Sequence, residues 1–171
     1  MNLEYQSLLP PDFSPDSRVW IYQSSRLFFM SEALEIEDLL NDFIKNWLSH
    51  GTPVKGYATL FFGQFIILMA DEAATGVSGC STDSSVRLIK EIEKKFSVTM
   101  FDRTSLAFLV NDKIQIIPMM HLQYALDHDL LSVNSLYFNN IVETKQELEK
   151  NWIIPIRDSW LTRKIIMNSE F

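Results

Sequence analysis

The sequence contains a single cysteine, Cys80, so one chain cannot form an internal disulfide and no oxidising compartment is indicated. It also lacks an excess of basic residues, because 15 Lys and Arg stand against 22 Asp and Glu. The resulting net charge of −7 argues against a dedicated nucleic-acid binder, which needs a basic face to neutralise phosphates.

Long apolar runs are absent as well. The longest uninterrupted one, Phe65–Ala70, is far shorter than the roughly 20 residues that a membrane-spanning helix needs. The first 17 residues carry no Lys or Arg and no apolar segment typical of a secretory signal. We therefore expect a soluble, cytoplasmic protein with neither nucleic acid nor a membrane as its partner.

Local patterns in the first third of the chain predict an arm, a strand and a helix. Residues 1–17 are rich in Pro, Ser and Asp and predict an extended arm. Alternating side chains predict a strand over residues 17–24. Apolar residues at helical spacing predict a helix with Ser31 as its N-cap and Gly51 as its C-terminal stop.

The next segment predicts two hairpins separated by a helix. Aromatic and β-branched residues indicate strands at 55–61 and 65–71, a helix follows over 82–96, and a second hairpin covers 105–118. The order strand, helix, strand, strand, helix, strand is typical of the ferredoxin-like split βαβ sandwich, an antiparallel sheet with helices on one face. The predicted fold class is therefore α+β, with this sandwich over residues 18–118.

The last third of the chain is less regular. Short helices and one strand are predicted within residues 119–171, including a helix with capping-box spacing at Thr144 and Glu147 and a last helix after Pro155. The length of 171 residues suits one domain. We therefore expect a single α+β domain over 1–171, in which 119–171 form a mixed C-terminal extension.

Three stretches of the sequence carry a resemblance to a known family. They are "KGYATLFFGQFIILMADE", "GVSGCSTDSSVRLIKEIEKKF" and "LYFNNIVETKQELEKNWIIPIRDSW", and together they cover much of the chain. The chain resembles an uncharacterised family of small bacterial proteins that are often labelled ABC transporter ATPase. The resemblance implies no established activity.

The ATPase label finds no support in the residues. A phosphate-binding loop needs Gly-x-x-x-x-Gly-Lys-[Ser/Thr], and "GVSGCSTDSS" has the glycines without the Gly-Lys pair. The Leu-Ser-Gly-Gly-Gln signature is absent too. We expect neither ATPase activity nor a cofactor.

The stretch "GVSGCSTDSS", residues 76–85, is the place where the sequence suggests a site. In a ferredoxin-like sheet the first and third strands are parallel neighbours, so residues 23–26 and the loop from Asp71 to Cys80 would meet at one edge. Hydroxyls, backbone amides and arginines there could bind a phosphate or carboxylate. The candidate ligand-binding residues are Ser24, Arg26, Ser81, Thr82, Asp83 and Arg87.

Simpler interpretations stay open for these residues. Ser81, Thr82 or Asp83 could only cap the helix, and Asp71 with Glu72 could only end a strand in water, so no metal site is expected. Cys80 could be a buried small residue or a nucleophile with a pKa lowered by the helix N-terminus.

The leading hypothesis is a non-catalytic protein that binds a protein partner or a small anion. The alternative is a cysteine-dependent enzyme with Cys80 as its catalytic nucleophile. The edge strands of an open sheet are also compatible with a homodimer.

Overall fold

The computed structural model describes residues 2–73, 76 and 79–165, apart from the side chains of Cys80 and Ser81. The chain forms two compact units. The N-terminal unit comprises residues 3–102 and 140–149, and the C-terminal unit comprises residues 1–2, 103–139 and 150–171. The division near residue 102 lies ahead of the second predicted hairpin.

The strands and helices follow one another along the chain in this order: β1 Arg18–Gln23, α1 Met30–Lys45, β2 Leu48–Ser49, β3 Thr52–Pro53, β4 Gly56–Phe61, β5 Phe65–Ala70, α2 Gly79–Phe96, β6 Ser105–Val110, β7 Lys113–Pro118, α3 Leu122–Asp127, β8 Leu136–Phe138, α4 Lys145–Asn151 and β9 Ile153–Pro155. Short 3-10 helices occur at Gln6–Leu8, Met119–His121, Ile156–Asp158 and Trp160–Arg163. The α+β class is confirmed, since the described residues form four α-helices together with antiparallel sheets.

The N-terminal unit is built around β5, the central strand of the sheet β1-β5-β4. All six residues of β5 are buried, which explains why its sequence is continuously apolar instead of alternating. Ile66 and Leu68 form a core cluster with Ile36 of α1 and Ile89 of α2. The helices therefore cover the sheet with the apolar stripes that their sequence periodicity indicates.

The N-terminal arm is packed onto this unit. Tyr5, Leu9 and Phe13 are buried, and the ring of Tyr5 lies 5.8 Å from that of Phe61. The Tyr57 hydroxyl donates to the carbonyl of Leu8 at 3.0 Å. The proline-rich segment thus has little regular structure, as expected, and its aromatic and aliphatic side chains fasten it to the sheet.

The predicted parallel pairing of the ferredoxin-like sheet is wrong. β1 and β5 are neighbours, but they are antiparallel, with Arg18 opposite Ala70 and Gln23 opposite Phe65. The fourth predicted strand, β6, belongs to the sheet of the C-terminal unit. Local periodicity identifies strands, but it contains no information about their direction in a sheet, which long-range packing sets.

The ends of α1 also differ from the prediction. The helix begins at Met30 with Phe29 as the N-cap residue, so Ser31 lies inside its first turn. The Glu32 carboxylate accepts a hydrogen bond from the Phe29 N–H at 2.8 Å and satisfies the helix start without a Ser cap. α1 ends at Lys45, and Gly51 instead lies at the turn between β2 and β3 with φ +81°.

The C-terminal unit contains the four-stranded antiparallel sheet β7-β6-β8-β9. The predicted hairpin over residues 105–118 is present as β6 and β7, and it turns at Asn111 and Asp112, both with positive φ. Phe108 and Tyr137 of the sheet share a core cluster with Leu122 of α3. The sheet and the short helix thus bury one apolar interior.

Two C-terminal predictions have different outcomes. α4 forms, and the Glu147 N–H donates to the Thr144 hydroxyl oxygen at 3.2 Å, as capping-box spacing indicates. The last helix after Pro155 is replaced, within the described residues, by two short 3-10 helices in which the Ser159 hydroxyl accepts from the Leu161 N–H. The same hydroxyl donates to the Ile156 carbonyl at 2.7 Å, so Ser159 ends one short helix and caps the next.

We predict that Gly56→Ala destabilises the protein by about 1–3 kcal/mol, since overpacking a filled core has a cost of this size. A Cβ at Gly56 would lie 2.7 Å from Cε3 of Trp47, a side chain that is almost fully buried. The free energy of unfolding from urea titration checks this. Gly79→Ala is the control, because its Cβ meets nothing within 4 Å, and equal stability of the two variants would contradict the packing argument.

Candidate functional site

The antiparallel pairing separates the two loops that the sequence analysis expected to meet. Gln23 at the end of β1 lies beside Phe65, whereas Asp71 follows Ala70 at the opposite end of the sheet, beside Arg18. Five residues of strand place these ends about 17 Å apart. The predicted composite site at one sheet edge is therefore wrong.

Arg26 is engaged in a tight polar contact. Its guanidinium donates two hydrogen bonds to the Glu32 carboxylate, at 2.7 and 2.9 Å. A third bond, at 2.7 Å, reaches the carbonyl of Phe96, the last residue of α2. The guanidinium thus stabilises the negative end of the α2 dipole. The hydrogen bonds from Arg26, the bond from the Phe29 N–H and the charge of Arg26 hold the pKa of Glu32 below its ordinary value.

This position excludes Arg26 as the counter-charge for an anion at the start of α2. The helix has 18 residues, so its first turn lies about 25 Å from the carbonyl that Arg26 contacts. Ser24 is also unsuited to the predicted role, because it is fully buried and its backbone N–H donates to Gln64 at 2.8 Å. The structure places Ser24 and Arg26 together, and both have structural partners.

The remaining predicted ligands lie on α2. The helix begins at Gly79, so Thr82 and Asp83 are inside it and are not its N-cap. Arg87 is exposed one turn further on. The side chains of Cys80 and Ser81 lie outside the described part of the chain, and so do residues 74, 75, 77 and 78.

Asp71 is held by an ion pair. Lys55 Nζ lies 3.0 Å from its carboxylate and 3.1 Å from that of Asp12, and the Ala73 N–H also donates to Asp71. These contacts, the Lys55 hydrogen bond above all, hold the pKa of Asp71 below its ordinary 3.8. Among the described residues, no group of three or more His, Cys, Asp or Glu could hold a metal ion.

We predict that Asp71→Asn lowers stability in a pH-dependent way. A carboxylate with a depressed folded-state pKa stabilises the protein above about pH 4, and this contribution is lost as the pH falls through the folded-state pKa. The deficit of the variant should be constant between about pH 5 and 7 and shrink towards pH 2.5 in urea unfolding. Glu72→Gln, at the exposed next residue, is the control, and a pH-independent deficit of Asp71→Asn would contradict the ion-pair account.

An exposed apolar surface surrounds the start of α1. Leu27, Phe29, Met30 and Leu34 are 57, 68, 78 and 64% exposed. Three of these residues, Leu27, Met30 and Leu34, line a shallow groove of about 370 Å³, which we call the apolar groove. Its lining residues are Leu27, Phe28, Met30, Ala33, Leu34, Glu37, Leu60 and Gly63.

The local structure explains why these apolar side chains face solvent. The stripe of α1 that packs on the sheet is formed by Ile36 and Leu40, whereas Met30 and Leu34 are four residues apart on another side. The Phe28 N–H donates to the Gly63 carbonyl at 2.9 Å, which clamps the loop before α1 to the β4–β5 turn. The groove is thus bounded by a helix and a turn that packing fixes.

Acidic groups flank the apolar groove. Glu37 lines it and accepts hydrogen bonds from the Leu60 N–H at 2.7 Å and the Thr59 hydroxyl at 3.2 Å. Asp38 is exposed one turn beyond Leu34. The whole N-terminal unit contains nine Lys and Arg against seventeen Asp and Glu, a net charge of −8. The groove therefore lies in a negative field.

The apolar groove is not among the predicted sites, although the sequence contains a signal for it. "LFFM", Leu27–Met30, is a run of four apolar residues between a strand and a helix, and such a run outside a regular element indicates an exposed patch or a buried connection. Whether the run is exposed or buried depends on whether other parts of the chain pack over it, and the short local sequence does not determine this.

The comparisons with protein-family models, curated proteins and solved structures found no match to this chain. The resemblance to the small bacterial family therefore stays a prediction. Within the described part of the chain, no helix is long and apolar enough to cross a membrane.

Proposed function

We propose that this protein is a non-catalytic interaction protein whose apolar groove binds a short segment of a partner protein. The observation that carries the proposal is the clustering of three large apolar side chains, Leu27, Met30 and Leu34, each more than half exposed, along one groove. Exposed apolar side chains scattered singly are ordinary, but a contiguous patch rimmed by polar groups is typical of an interaction site.

The charge around the groove indicates the chemistry of the partner. Glu37 lines the apolar groove, and Asp38 is exposed one helical turn after Leu34. The N-terminal unit, which contains both residues, has a net charge of −8. A segment with two or three large apolar residues flanked by Lys or Arg would complement both features. We therefore propose a basic, amphipathic peptide segment as the occupant.

The open shape favours a protein segment over a small molecule. Leu27, Met30 and Leu34 border the groove and stay largely in water, so a small ligand would leave much of its own surface exposed. A small anion, the other expected ligand, lacks a counter-charge near the groove, because Arg26 is bonded to Glu32. A cytoplasmic location is part of the proposal, and it rests on the single cysteine.

We predict that peptides selected for binding to the wild-type protein contain two or three large apolar residues flanked by Lys or Arg. Selection from a phage-displayed library of random 12-residue peptides should enrich apolar residues flanked by Lys or Arg. Met30→Asp should raise the Kd of the selected peptides at least about tenfold, because a charge then replaces an apolar contact at the groove. Fluorescence anisotropy with the labelled peptide measures the Kd.

Met120→Asp is the matched control, since Met120 is 83% exposed and belongs to the C-terminal unit. Its Kd should stay within about twofold of wild type, as expected for a residue outside the contact. The proposal is wrong if no peptide is enriched, if the enriched peptides are acidic, or if Met30→Asp binds them as tightly as wild type does.

The second candidate function is a cysteine-dependent enzyme with Cys80 as nucleophile. One observation favours it, because α2 begins at Gly79 and places Cys80 in the first turn, where a helix can lower the pKa of a thiol. Asp83 lies three residues further along the same helix and opposes thiolate formation by charge repulsion.

Under the non-catalytic proposal we expect Cys80 to behave as an ordinary thiol. Its iodoacetamide alkylation rate, measured from pH 5 to 10, should follow an apparent pKa near or above about 8.5. The denatured chain serves as the control. Rapid modification with an apparent pKa well below that of the denatured chain would support the enzyme and contradict the non-catalytic proposal.

A further inference from the structure

β7 is an open edge of the sheet in the C-terminal unit. It is the first strand in the order β7-β6-β8-β9 and pairs with β6 over all six of its residues. Its side chains alternate between exposed and half-buried along most of its length, so the strand is accessible to solvent. The backbone edge of β7 that points away from β6 is therefore available for pairing with a further strand.

The geometry of the hairpin shows which backbone groups point outward. Asn111 and Asp112 form a two-residue turn with φ of 48° and 59°, so Val110 and Lys113 are a hydrogen-bonded pair. In an antiparallel pair every second residue bonds to its partner, so Lys113, Gln115 and Ile117 bond to β6. The Met119 N–H, which donates to the Thr104 carbonyl at 2.8 Å, continues this alternation. Ile114 and Ile116 consequently direct their N–H and C=O groups away from β6.

On the edges of the other sheet, in contrast, N–H groups that point outward donate to other groups of the chain. On β1 the Val19 N–H donates to the Glu143 carbonyl at 2.8 Å, and on β4 the Leu60 N–H donates to Glu37. For Ile114 and Ile116 no partner across the edge exists within the described part of the chain. The β7 edge thus offers two N–H donors and two C=O acceptors at strand spacing.

We propose that β7 pairs with β7 of a second copy of this chain, in an antiparallel arrangement about a twofold axis at Gln115. In this register Ile114 lies opposite Ile116 of the second copy, and the reverse pair is equivalent by symmetry. All four outward groups of each copy are then bonded. A register shifted towards Pro118 would leave the Ile114 carbonyl unpaired, because Pro118 has no N–H.

Charge at this edge is compatible with a second copy. The C-terminal unit contains six Lys and Arg against five Asp and Glu, so its net charge is +1, unlike that of the N-terminal unit. In the proposed register Lys113 lies opposite Ile117 of the second copy, and no like charges face each other on the two strands. Pairing of two copies therefore meets little electrostatic opposition at the contact.

A charge swap at Gln115 tests the register. Gln115 is exposed and lies opposite itself across the axis, in a pair without mutual hydrogen bonds, where side chains are closest. Gln115→Lys and Gln115→Glu should each raise the dimer Kd about fivefold, because like charges then face each other. An equal mixture of the two variants should dimerise about tenfold more tightly than either variant alone.

Sedimentation equilibrium measures these constants, and wild type should shift from 19.9 kDa towards twice that mass as its concentration rises. Ile116→Pro, which removes one outward N–H and spares the inward bonds, should stay monomeric, and Ile116→Val should dimerise as wild type does. Hydrogen exchange of wild type needs no variant, and it should show Ile114 and Ile116 amides that become protected with rising concentration.

The proposal is wrong if wild type remains monomeric up to about 200 μM, because a dimer with a Kd in the micromolar range is largely formed at that concentration. An extended peptide of another protein would then be the occupant to consider. It is also wrong if wild type dimerises while the two single variants and Ile116→Pro do so equally well. In that case another surface forms the dimer.

Discussion

The bond between Arg26 and Glu32 is the interaction on which the proposed binding surface depends. One guanidinium joins three parts of the N-terminal unit, since it bonds to the first turn of α1 and to the carbonyl of Phe96 at the end of α2. Its Cζ also lies 5.2 Å from the centre of the Phe29 ring. Glu32 in turn accepts from the Phe29 N–H, so the same pair fixes where α1 begins.

These contacts hold the backbone that carries the apolar groove. The chain between β1 and α1 is held by Arg26 on one side and by the Phe28–Gly63 hydrogen bond on the other. Leu27, Met30 and Leu34 therefore stay exposed although burial would lower their free energy. A groove whose backbone is held in this way binds a partner without the added cost of ordering the loop before α1.

Sequence reasoning identified the elements that local chemistry determines. The hairpin over residues 105–118, the continuously apolar β5 and the cap at Thr144 all follow from short-range rules and are present. The direction of β5 relative to β1 does not follow from such rules, because either direction buries the same apolar side chains. Because β5 runs antiparallel to β1, Arg26 and the N-terminus of α2 lie apart, and they do not form the predicted composite site.

The most direct test of the proposed function is methyl NMR of the protein labelled at methionine. The sequence has seven methionines, of which Met30 lies at the apolar groove and Met120 is exposed in the other unit. Titration with the tightest selected basic peptide should move the Met30 methyl signal saturably and leave the Met120 signal in place. A titration that moves Met120 while Met30 stays unchanged would contradict the assignment of the groove as the binding site.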